Sequence, residues 1–216
     1  MKVAIEGMDG TGKSTISKVV ANILEYNYIE KPLKDIFNIS SDEFDNLCNK
    51  IYSLNDENIK ALFFGLGNLI ALKKDNIIID KHILGTYFWN KTDSNENIFN
   101  LLVELGVVPD LTIILYASQE SRIRHLKSRN KNDKDLLDEK KLSFGYDKML
   151  DFSIKYNIPY IIINTDNYDD LKELIKYIVE IIKSYENKDI ERINYYKNNQ
   201  DEDIKKLIYE IGDNNE

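Results

Sequence analysis

The hydrophobic pattern of the chain alternates between short apolar runs and longer amphipathic stretches. Apolar runs typical of buried strands occupy residues 2–6, 26–29, 77–80, 111–116 and 160–163. Apolar positions at helical spacing predict helices over 16–24, 41–54, 59–73, 83–90, 96–105, 119–129, 142–156 and 168–185. Strands that alternate with helices predict an α/β fold, with a doubly wound parallel sheet of about five strands between helical layers.

Two of the predicted helices carry local features that bear on their ends and packing. Ser41 precedes two acidic residues and is predicted to cap the helix over 41–54. Gly65 and Gly67 lie inside the predicted helix 59–73, where each glycine costs ~1 kcal/mol relative to alanine. We therefore expect close packing or a ligand beside these two glycines.

The composition of the chain changes near its C-terminus. From about residue 187 onward the sequence is highly charged and rich in asparagine, and Ile204, Leu207 and Ile208 supply apolar positions for one last helix. We divide the chain into a main domain over 1–185 and a charged, partly helical appendage over 186–216, to which the sequence assigns no role.

Charge and cysteine content narrow the class of function. The formal net charge of −8 argues against a nucleic-acid polymer as partner, because a phosphate backbone selects a basic surface. The single cysteine, Cys48, cannot form an internal disulfide, which fits a reducing compartment. No apolar run approaches the roughly 20 residues of a membrane span, and the N-terminus enters the first strand without room for a signal peptide. We expect a cytoplasmic enzyme with a small-molecule partner and no membrane partner.

A phosphate-binding motif follows the first predicted strand directly. GMDGTGKS matches G-x-x-x-x-G-K-[ST], and its place between a strand and a helix is the context in which backbone N–H groups cradle phosphates. Lys13 can reach the β- and γ-phosphates, and the Ser14 hydroxyl is placed to bind Mg²⁺. The motif predicts a P-loop for the cofactors ATP and Mg²⁺, formed by Gly7, Met8, Asp9, Gly10, Thr11, Gly12, Lys13, Ser14 and Thr15.

Phosphoryl transfer needs further charged groups around such a loop. Asp80 ends the apolar run 77–80, at the carboxyl edge of the sheet, and is predicted to hold Mg²⁺, through a water molecule. The variable positions of the P-loop contain no arginine, so cations must come from elsewhere. Their concentrated source is the helix 119–129 and the polar stretch 130–138, a predicted lid, with Arg122, Arg124, Lys127, Arg129 and Lys131. For any single one of these cations, a solvated helix surface remains the alternative interpretation.

An ordered set of motifs over residues 1–185 resembles the thymidylate kinase family of P-loop nucleoside monophosphate kinases. The set comprises the P-loop with its extra acidic Asp9, Leu62-Phe63-Phe64 with Asn68, Ile78-Ile79-Asp80-Lys81-His82, Pro109 to Thr112, the helix that ends at Arg129, and Gly145-Tyr146. The resemblance implies a P-loop NTPase-type three-layer sandwich with a lid, ATP with Mg²⁺ as donor, a nucleoside monophosphate acceptor with dTMP favoured, and a homodimer.

The resemblance also implies roles for individual residues. Asp9 would contact the sugar 3′-hydroxyl of the acceptor, Phe64 would stack on its base, and Arg129 would replace the missing P-loop arginine. Core packing is the alternative for Phe64, and an exposed loop carboxylate is the alternative for Asp9. The implied catalytic residues are Lys13, Asp80, Lys81 and Arg129, and the implied acceptor contacts are Asp9, Lys31, Phe64, Asn68, Lys81 and Trp89.

Departures from the family pattern fall on the acceptor side. The arginine that reads the thymine carbonyl in the family is Asn68 here, and the arginine after the strand-end aspartate is Lys81, which lacks a bidentate fork. The arginine before the proline of the second strand is replaced by Glu30-Lys31, which leaves Lys31 or Lys34 to meet an acceptor phosphate.

These departures keep two other functions open. The first is a deoxynucleoside kinase, in which a base near Glu30 would activate a nucleoside 5′-hydroxyl. The second is a catalytically inactive nucleotide-binding regulatory module. The intact Lys13, Ser14 and Asp80 argue against the module, because a decayed enzyme tends to lose such residues.

Overall fold

The computed structural model describes residues 1–129, 145–200 and 204–205. In this part of the chain five strands form one sheet, in the order β2-β3-β1-β4-β5, and every neighbouring pair is parallel. The strands are β1 (Lys2–Gly7), β2 (Asn27–Ile29), β3 (Ile77–Asp80), β4 (Leu111–Tyr116) and β5 (Tyr160–Asn164). The predicted α/β fold with a parallel sheet is confirmed.

Helices cover both faces of the sheet. They are α1 (Lys13–Leu24), α2 (Pro32–Phe37), α3 (Ser41–Ser53), α4 (Glu57–Ala71), α5 (Ile83–Asn90), α6 (Glu96–Glu104), α7 (Gln119–Arg129), α8 (Tyr146–Lys155), α9 (Leu171–Glu186) and α10 (Ile190–Asn198). Along β4, Leu111, Ile113 and Leu115 pack with residues of α1 and α9, whereas Ile114 packs with residues of α5 and α8. This alternation follows the two-residue period of a strand and gives the three predicted layers.

The start of α3 differs from the prediction. Ser40, and not Ser41, is the N-cap: its hydroxyl accepts a hydrogen bond from the Glu43 N–H at 3.3 Å. The Glu43 carboxylate accepts one from the Ser40 N–H at 2.8 Å, which completes a capping box. Two adjacent serines offer the same chemistry, and the acidic residue three positions after Ser40 decides between them.

Two helices were not predicted. Pro32, which follows the predicted strand 26–29, is the first residue of α2, where its missing N–H costs nothing. Within the predicted appendage, α10 is capped by the Asp189 carboxylate and packs its Ile193 and Tyr196 inward. The Tyr196 ring lies 5.4 Å from that of Tyr177 on α9, so this part of the appendage packs on the main core.

Several predicted boundaries shift by a few residues. α9 begins at Leu171 because Asp170 caps it, after a short 3₁₀ turn over Thr165–Asn167.

In α4, a Cβ on Gly65 would lie 2.6 Å from the Leu102 side chain of α6, which confirms the close packing expected there.

Some predictions concern residues outside the described part of the chain. They are the lid over 130–138 with Lys131, and the apolar positions Leu207 and Ile208. The division at 185/186 stays a prediction. Among the described helices, none has the length and apolar character needed to cross a membrane.

Candidate active site

The predicted P-loop joins the end of β1 to the start of α1 at the carboxyl edge of the sheet. Gly7 has a φ of 139°, and a Cβ there would lie 2.4 Å from the Leu115 carbonyl oxygen, so the loop requires glycine at this point. Gly12, with a φ of 86°, is the N-cap of α1 and has no side chain to cap it. The first N–H groups of α1 are therefore available to an anion.

Lys13 lies at the centre of this loop and is buried. Its Nζ donates a hydrogen bond to the Met8 carbonyl at 2.7 Å and lies 3.8 Å from Asp9 Oδ1. The pKa of Lys13 is lowered to about 8, chiefly by burial and also by the charge of Lys81, against the opposing effect of the carboxylates of Asp9, Asp80 and Glu6. A bound polyphosphate would stabilise the charged form of this lysine.

A cavity opens in front of the P-loop. Its lining includes most of the predicted loop residues, Arg129, which was predicted to act on the transferred phosphoryl group, and Lys81, which was predicted on the acceptor side. His125 of α7 lines it too and was not predicted, although it lies four residues before Arg129 and thus on the same helix face. The His125 Nδ1 lies 2.9 Å from the Gly10 carbonyl. We call this space the donor cavity.

A second cavity of about 190 Å³ lies between α2, α3, α4 and α5, and we call it the acceptor cavity. The structure brings together here five of the six predicted acceptor contacts: Lys31, Phe64, Asn68, Lys81 and Trp89. Phe64 is half-buried, with its ring 5.5 Å from that of Tyr52, which also lines the cavity. The side chain of Phe64 is therefore a wall of this cavity and not part of the main core.

Lys81 connects the two cavities because it lines both. Its Nζ lies 2.9 Å from Asp9 Oδ1, on the P-loop side. Asp9, the sixth predicted acceptor contact, lines the donor cavity and contacts the wall of the acceptor cavity through this ion pair. The other acceptor-side cation, Lys31, pairs with Asp45 of α3 at 2.8 Å.

Asp80 lies beneath this junction at the end of β3. One carboxylate oxygen, Oδ2, accepts a hydrogen bond from the Tyr28 hydroxyl at 3.2 Å. The other, Oδ1, is buried and has no hydrogen-bond partner among the described residues. A buried oxygen of this kind suits a metal-bound water as donor, which fits the predicted indirect role of Asp80. Ser14 is exposed at the start of α1, as a direct ligand would have to be.

A buried carboxylate that was not predicted as functional fixes the turn that carries Lys81. Glu6 Oε1 accepts hydrogen bonds from the N–H groups of His82, Leu84 and Gly85, at 2.8, 3.0 and 3.2 Å. Lys81 itself has a φ of 64°, a left-handed conformation that costs a non-glycine residue ~1–2 kcal/mol. The contacts of Glu6 hold this strained turn at the start of α5.

Arg122 clamps the P-loop from the other side and is not a lid cation. Its side chain is only 1% exposed, and its Nε donates to the Asp9 carbonyl at 2.9 Å. Gly10 packs directly on α7, since a Cβ there would lie 2.7 Å from the Arg122 carbonyl oxygen. Helix spacing alone groups Arg122 with Arg129, but burial separates their roles.

The burial of Glu6 predicts a pH-dependent stability. Burial raises the pKa of Glu6 to about 7 from its ordinary 4.5, so its stabilising contribution is full below pH 4.5 and is lost as the pH rises through 7. Between pH 5 and 8 the wild type should lose roughly 2–3 kcal/mol of unfolding free energy relative to Glu6→Gln. Urea unfolding of both proteins across this range measures the difference, and parallel curves would contradict it.

The clamp by Arg122 predicts an effect on ATP binding. Arg122→Met leaves the Asp9 carbonyl without this donor and should weaken binding of ATP-Mg²⁺ about tenfold. Arg122→Gln keeps an N–H near the position of Nε and should retain most of the affinity. Calorimetric titration provides the measurement, with Lys127→Met on the exposed face of α7 as control. Equal affinities for Arg122→Met and the wild type would refute the clamp.

Comparisons with known proteins agree with this geometry. Residues 3–143 match the family model described as an AAA domain, AAA_18. A probable thymidylate kinase from Sulfolobus acidocaldarius is 30% identical over 197 residues, which cover 86% of this chain and 97% of that protein. A probable thymidylate kinase from Methanococcus maripaludis is 24% identical over 178 residues, which cover 76% and 85% of the two chains.

A solved structure shows the same fold. Deoxyadenosine kinase from M. mycoides with bound dCTP superposes with a TM-score of 0.61 at 22% identity, over 85% of this chain and all of that one. The fold, the P-loop and the sequence matches agree on a kinase of nucleosides or nucleotides. The chain belongs to the thymidylate kinase family, as a divergent member of these P-loop kinases.

Proposed function

We propose that this protein transfers the γ-phosphoryl group of ATP to a nucleoside monophosphate. The resemblance to thymidylate kinases favours dTMP as this acceptor. The observation that carries the proposal is the pair of adjoining cavities with Lys81 in the wall of each. One cavity has a P-loop, which suits a triphosphate, and the other has an aromatic wall and two lysines, which suit a base and a phosphate. Such an arrangement suits direct transfer between two bound nucleotides.

In this reaction an oxygen of the acceptor phosphate attacks the γ-phosphorus, and the bond to the β–γ bridging oxygen breaks. Lys13 and the N–H groups of the P-loop would stabilise the charge that develops on the ADP leaving group. Lys81 would hold the acceptor phosphate, for which it exchanges its present partner Asp9. Arg129 would add charge over the transferred group from the donor cavity wall.

The residues present also fit a Mg²⁺ ion bound together with ATP. Among the described residues no three acidic, histidine or cysteine side chains form a metal cluster, so the ion would depend on phosphate oxygens, water and the Ser14 hydroxyl. Asp80 Oδ1 would accept a hydrogen bond from one of its waters. When bound, Mg²⁺ supplies positive charge to the β- and γ-phosphate oxygens.

A deoxynucleoside kinase is the second candidate, and one observation favours it. Glu30 lines the acceptor cavity, where its carboxylate could remove a proton from a nucleoside 5′-hydroxyl. The cations that line this cavity are Lys31 and Lys81. Lys31 forms an ion pair with Asp45, which should weaken its binding of an acceptor phosphate. A nucleotide-binding regulatory module, the third alternative, would show no turnover.

Turnover with a panel of acceptors separates the three functions. The full chain with ATP-Mg²⁺ should form ADP in the presence of monophosphates and not of nucleosides. Lys13→Ala should lower this turnover by roughly 10²–10³-fold, because it removes a charge that acts on the transition state. Lys18→Ala, on the exposed face of α1, is the matched control and should keep wild-type activity.

The other outcomes of the same panel contradict the proposal in distinct ways. Turnover with nucleosides alone, abolished by Glu30→Gln, would establish the deoxynucleoside kinase. Binding of ATP without turnover of any acceptor would favour the regulatory module.

We also propose that the protein forms a homodimer through α4 and α6. Leu62 and Leu66, on successive turns of α4, are each 48% exposed, and Leu101 of α6 and Leu105 at its C-cap are 46% and 56% exposed. The two helices pack against each other, and their exposed leucines together would make up the apolar surface that we propose as the interface. A second copy of the chain would remove this surface from water.

A charge within this surface should prevent the association. Leu66→Asp places an unpaired carboxylate in the proposed interface. By light scattering at micromolar concentration we expect this variant to be a monomer and the wild type a dimer. Ile23→Asp on α1, which is 50% exposed and distant in sequence from α4 and α6, should leave the dimer intact. A monomeric wild type would rule out this interface.

A further inference from the structure

His125 of α7 is part of the donor cavity wall and has no role in the reaction proposed above. Its ring is exposed and lines the cavity together with Arg129, which lies one helical turn further along α7. The P-loop approaches this helix closely at Gly10, where a Cβ would lie 2.7 Å from the Arg122 carbonyl oxygen. The imidazole therefore borders the space that a nucleotide on the P-loop would fill.

The contact between His125 and Gly10 fixes which ring nitrogen carries a hydrogen. Nδ1 lies 2.9 Å from the Gly10 carbonyl oxygen, which can only accept, so Nδ1 is a donor whether the ring is neutral or charged. Nε2 has no hydrogen-bond partner among the described residues. The ring therefore gains or loses its proton at Nε2, which is an acceptor in the neutral ring and a charged donor in the protonated one.

The charged groups that line the donor cavity with this ring are three cations and one carboxylate. The cations are Lys13 of α1, Lys81 after β3 and Arg129 of α7, and the carboxylate is that of Asp9 in the P-loop. This excess of positive charge suits an anionic ligand. A polyphosphate in the cavity would bring several negative charges beside the ring of His125, and these favour its protonated form.

Histidine is the side chain whose charge ordinarily changes between about pH 5 and 8. The chain has two histidines, and the second, His82, is 2% exposed. Burial lowers the pKa of His82 to about 4, so its ring stays neutral over most of this range. His125, with its exposed ring in the donor cavity, is the histidine whose charge a bound nucleotide can change.

We propose, on the basis of the donor site proposed above, that His125 binds the phosphates of the donor nucleotide in its protonated form. ATP binding takes up a proton from solvent at Nε2, and the new N–H donates to a phosphate oxygen. The neutral ring instead presents a lone pair to that oxygen. The affinity for ATP therefore falls as the pH rises through the titration of the ring.

The test must observe His125 itself, because Lys13, with its pKa lowered to about 8, would also gain charge when a polyphosphate binds. NMR resolves the ring Cε1–H signals of the two histidines, and His125→Asn assigns them. The full chain is titrated from about pH 5 to 8 with and without ATP-Mg²⁺, in the absence of an acceptor. Saturation with ATP-Mg²⁺ should raise the titration midpoint of the His125 signal by at least about half a pH unit. An unmoved midpoint would overturn the inference.

Variants separate the charge of the ring from its support of the P-loop. His125→Asn keeps an amide N–H near the position of Nδ1 and removes the atom that titrates. Between about pH 6 and 8 the calorimetric affinity of the wild type for ATP-Mg²⁺ should fall about fivefold more than that of His125→Asn. Lys127→Asn, on the exposed face of α7, is the control and should keep the wild-type pH dependence. Equal pH dependence in the wild type and His125→Asn would restrict His125 to the support of Gly10 and refute the proposal.

A permanent charge at the same position should replace the proton. His125→Arg should bind ATP-Mg²⁺ at about pH 8 at least fivefold more tightly than His125→Asn does. Tripolyphosphate, which has the charges of ATP without the nucleoside, should raise the His125 midpoint as ATP does. A shift that requires the nucleoside would contradict the phosphate contact.

These readouts keep the inference separate from the proposed function. A raised His125 midpoint without turnover of any acceptor would refute phosphoryl transfer and leave the role of His125 in place. Turnover of monophosphates with an unmoved midpoint would do the opposite. A chain that does not bind ATP-Mg²⁺ would refute both.

Discussion

The ion pair between Asp9 and Lys81 is the contact on which the arrangement of the site depends. It joins the P-loop to the turn after β3, and thereby joins the two cavities. The backbone at or beside each partner is held in place by further hydrogen bonds. Arg122 donates to the Asp9 carbonyl, and Glu6 accepts from the turn that follows Lys81. A charged contact of this kind can be exchanged for a phosphate without movement of the scaffold beneath it.

The parallel sheet explains why these groups meet. β1 lies between β3 and β4, so the loops after β1 and β3 emerge side by side at the carboxyl edge. Lys13, Asp80 and Lys81 are therefore neighbours although Lys13 is far from the other two in sequence. Burial at this edge lowers the pKa of Lys13 to about 8 and leaves one oxygen of Asp80 without a partner among the described residues. Both features are costly for folding alone and suit an anionic ligand with its metal.

Much of this could be predicted from the sequence, because the strongest signals are local. The P-loop pattern, the apolar runs and the carboxylate at the end of β3 predicted the parallel sheet and most of the residues that line the donor cavity. The role of Arg122 could not be predicted from the sequence. Helix spacing indicates which side of α7 a residue occupies, but not whether its side chain is buried. Glu6 acts across the sheet on residues more than seventy positions away, and nothing in its own segment indicates that. The Asn68–Thr86 contact likewise exists only once α4 and α5 are packed together.

The departures from the family pattern gain physical meaning in the structure. Asn68, which is shorter than arginine and uncharged, lines the acceptor cavity and donates a hydrogen bond to Thr86 Oγ1 at 2.9 Å. Lys81 takes the place of a bidentate arginine and is held by Asp9 at a single point.

The most direct test is a crystal structure with a bisubstrate analogue, in which adenosine and a deoxynucleoside are joined through five phosphates. The account predicts that the phosphate chain begins at the N–H groups of the P-loop, passes Lys81 and places the second nucleoside against Phe64. A second nucleoside that lies outside the acceptor cavity, or a chain that leaves Lys81 paired with Asp9, would contradict it.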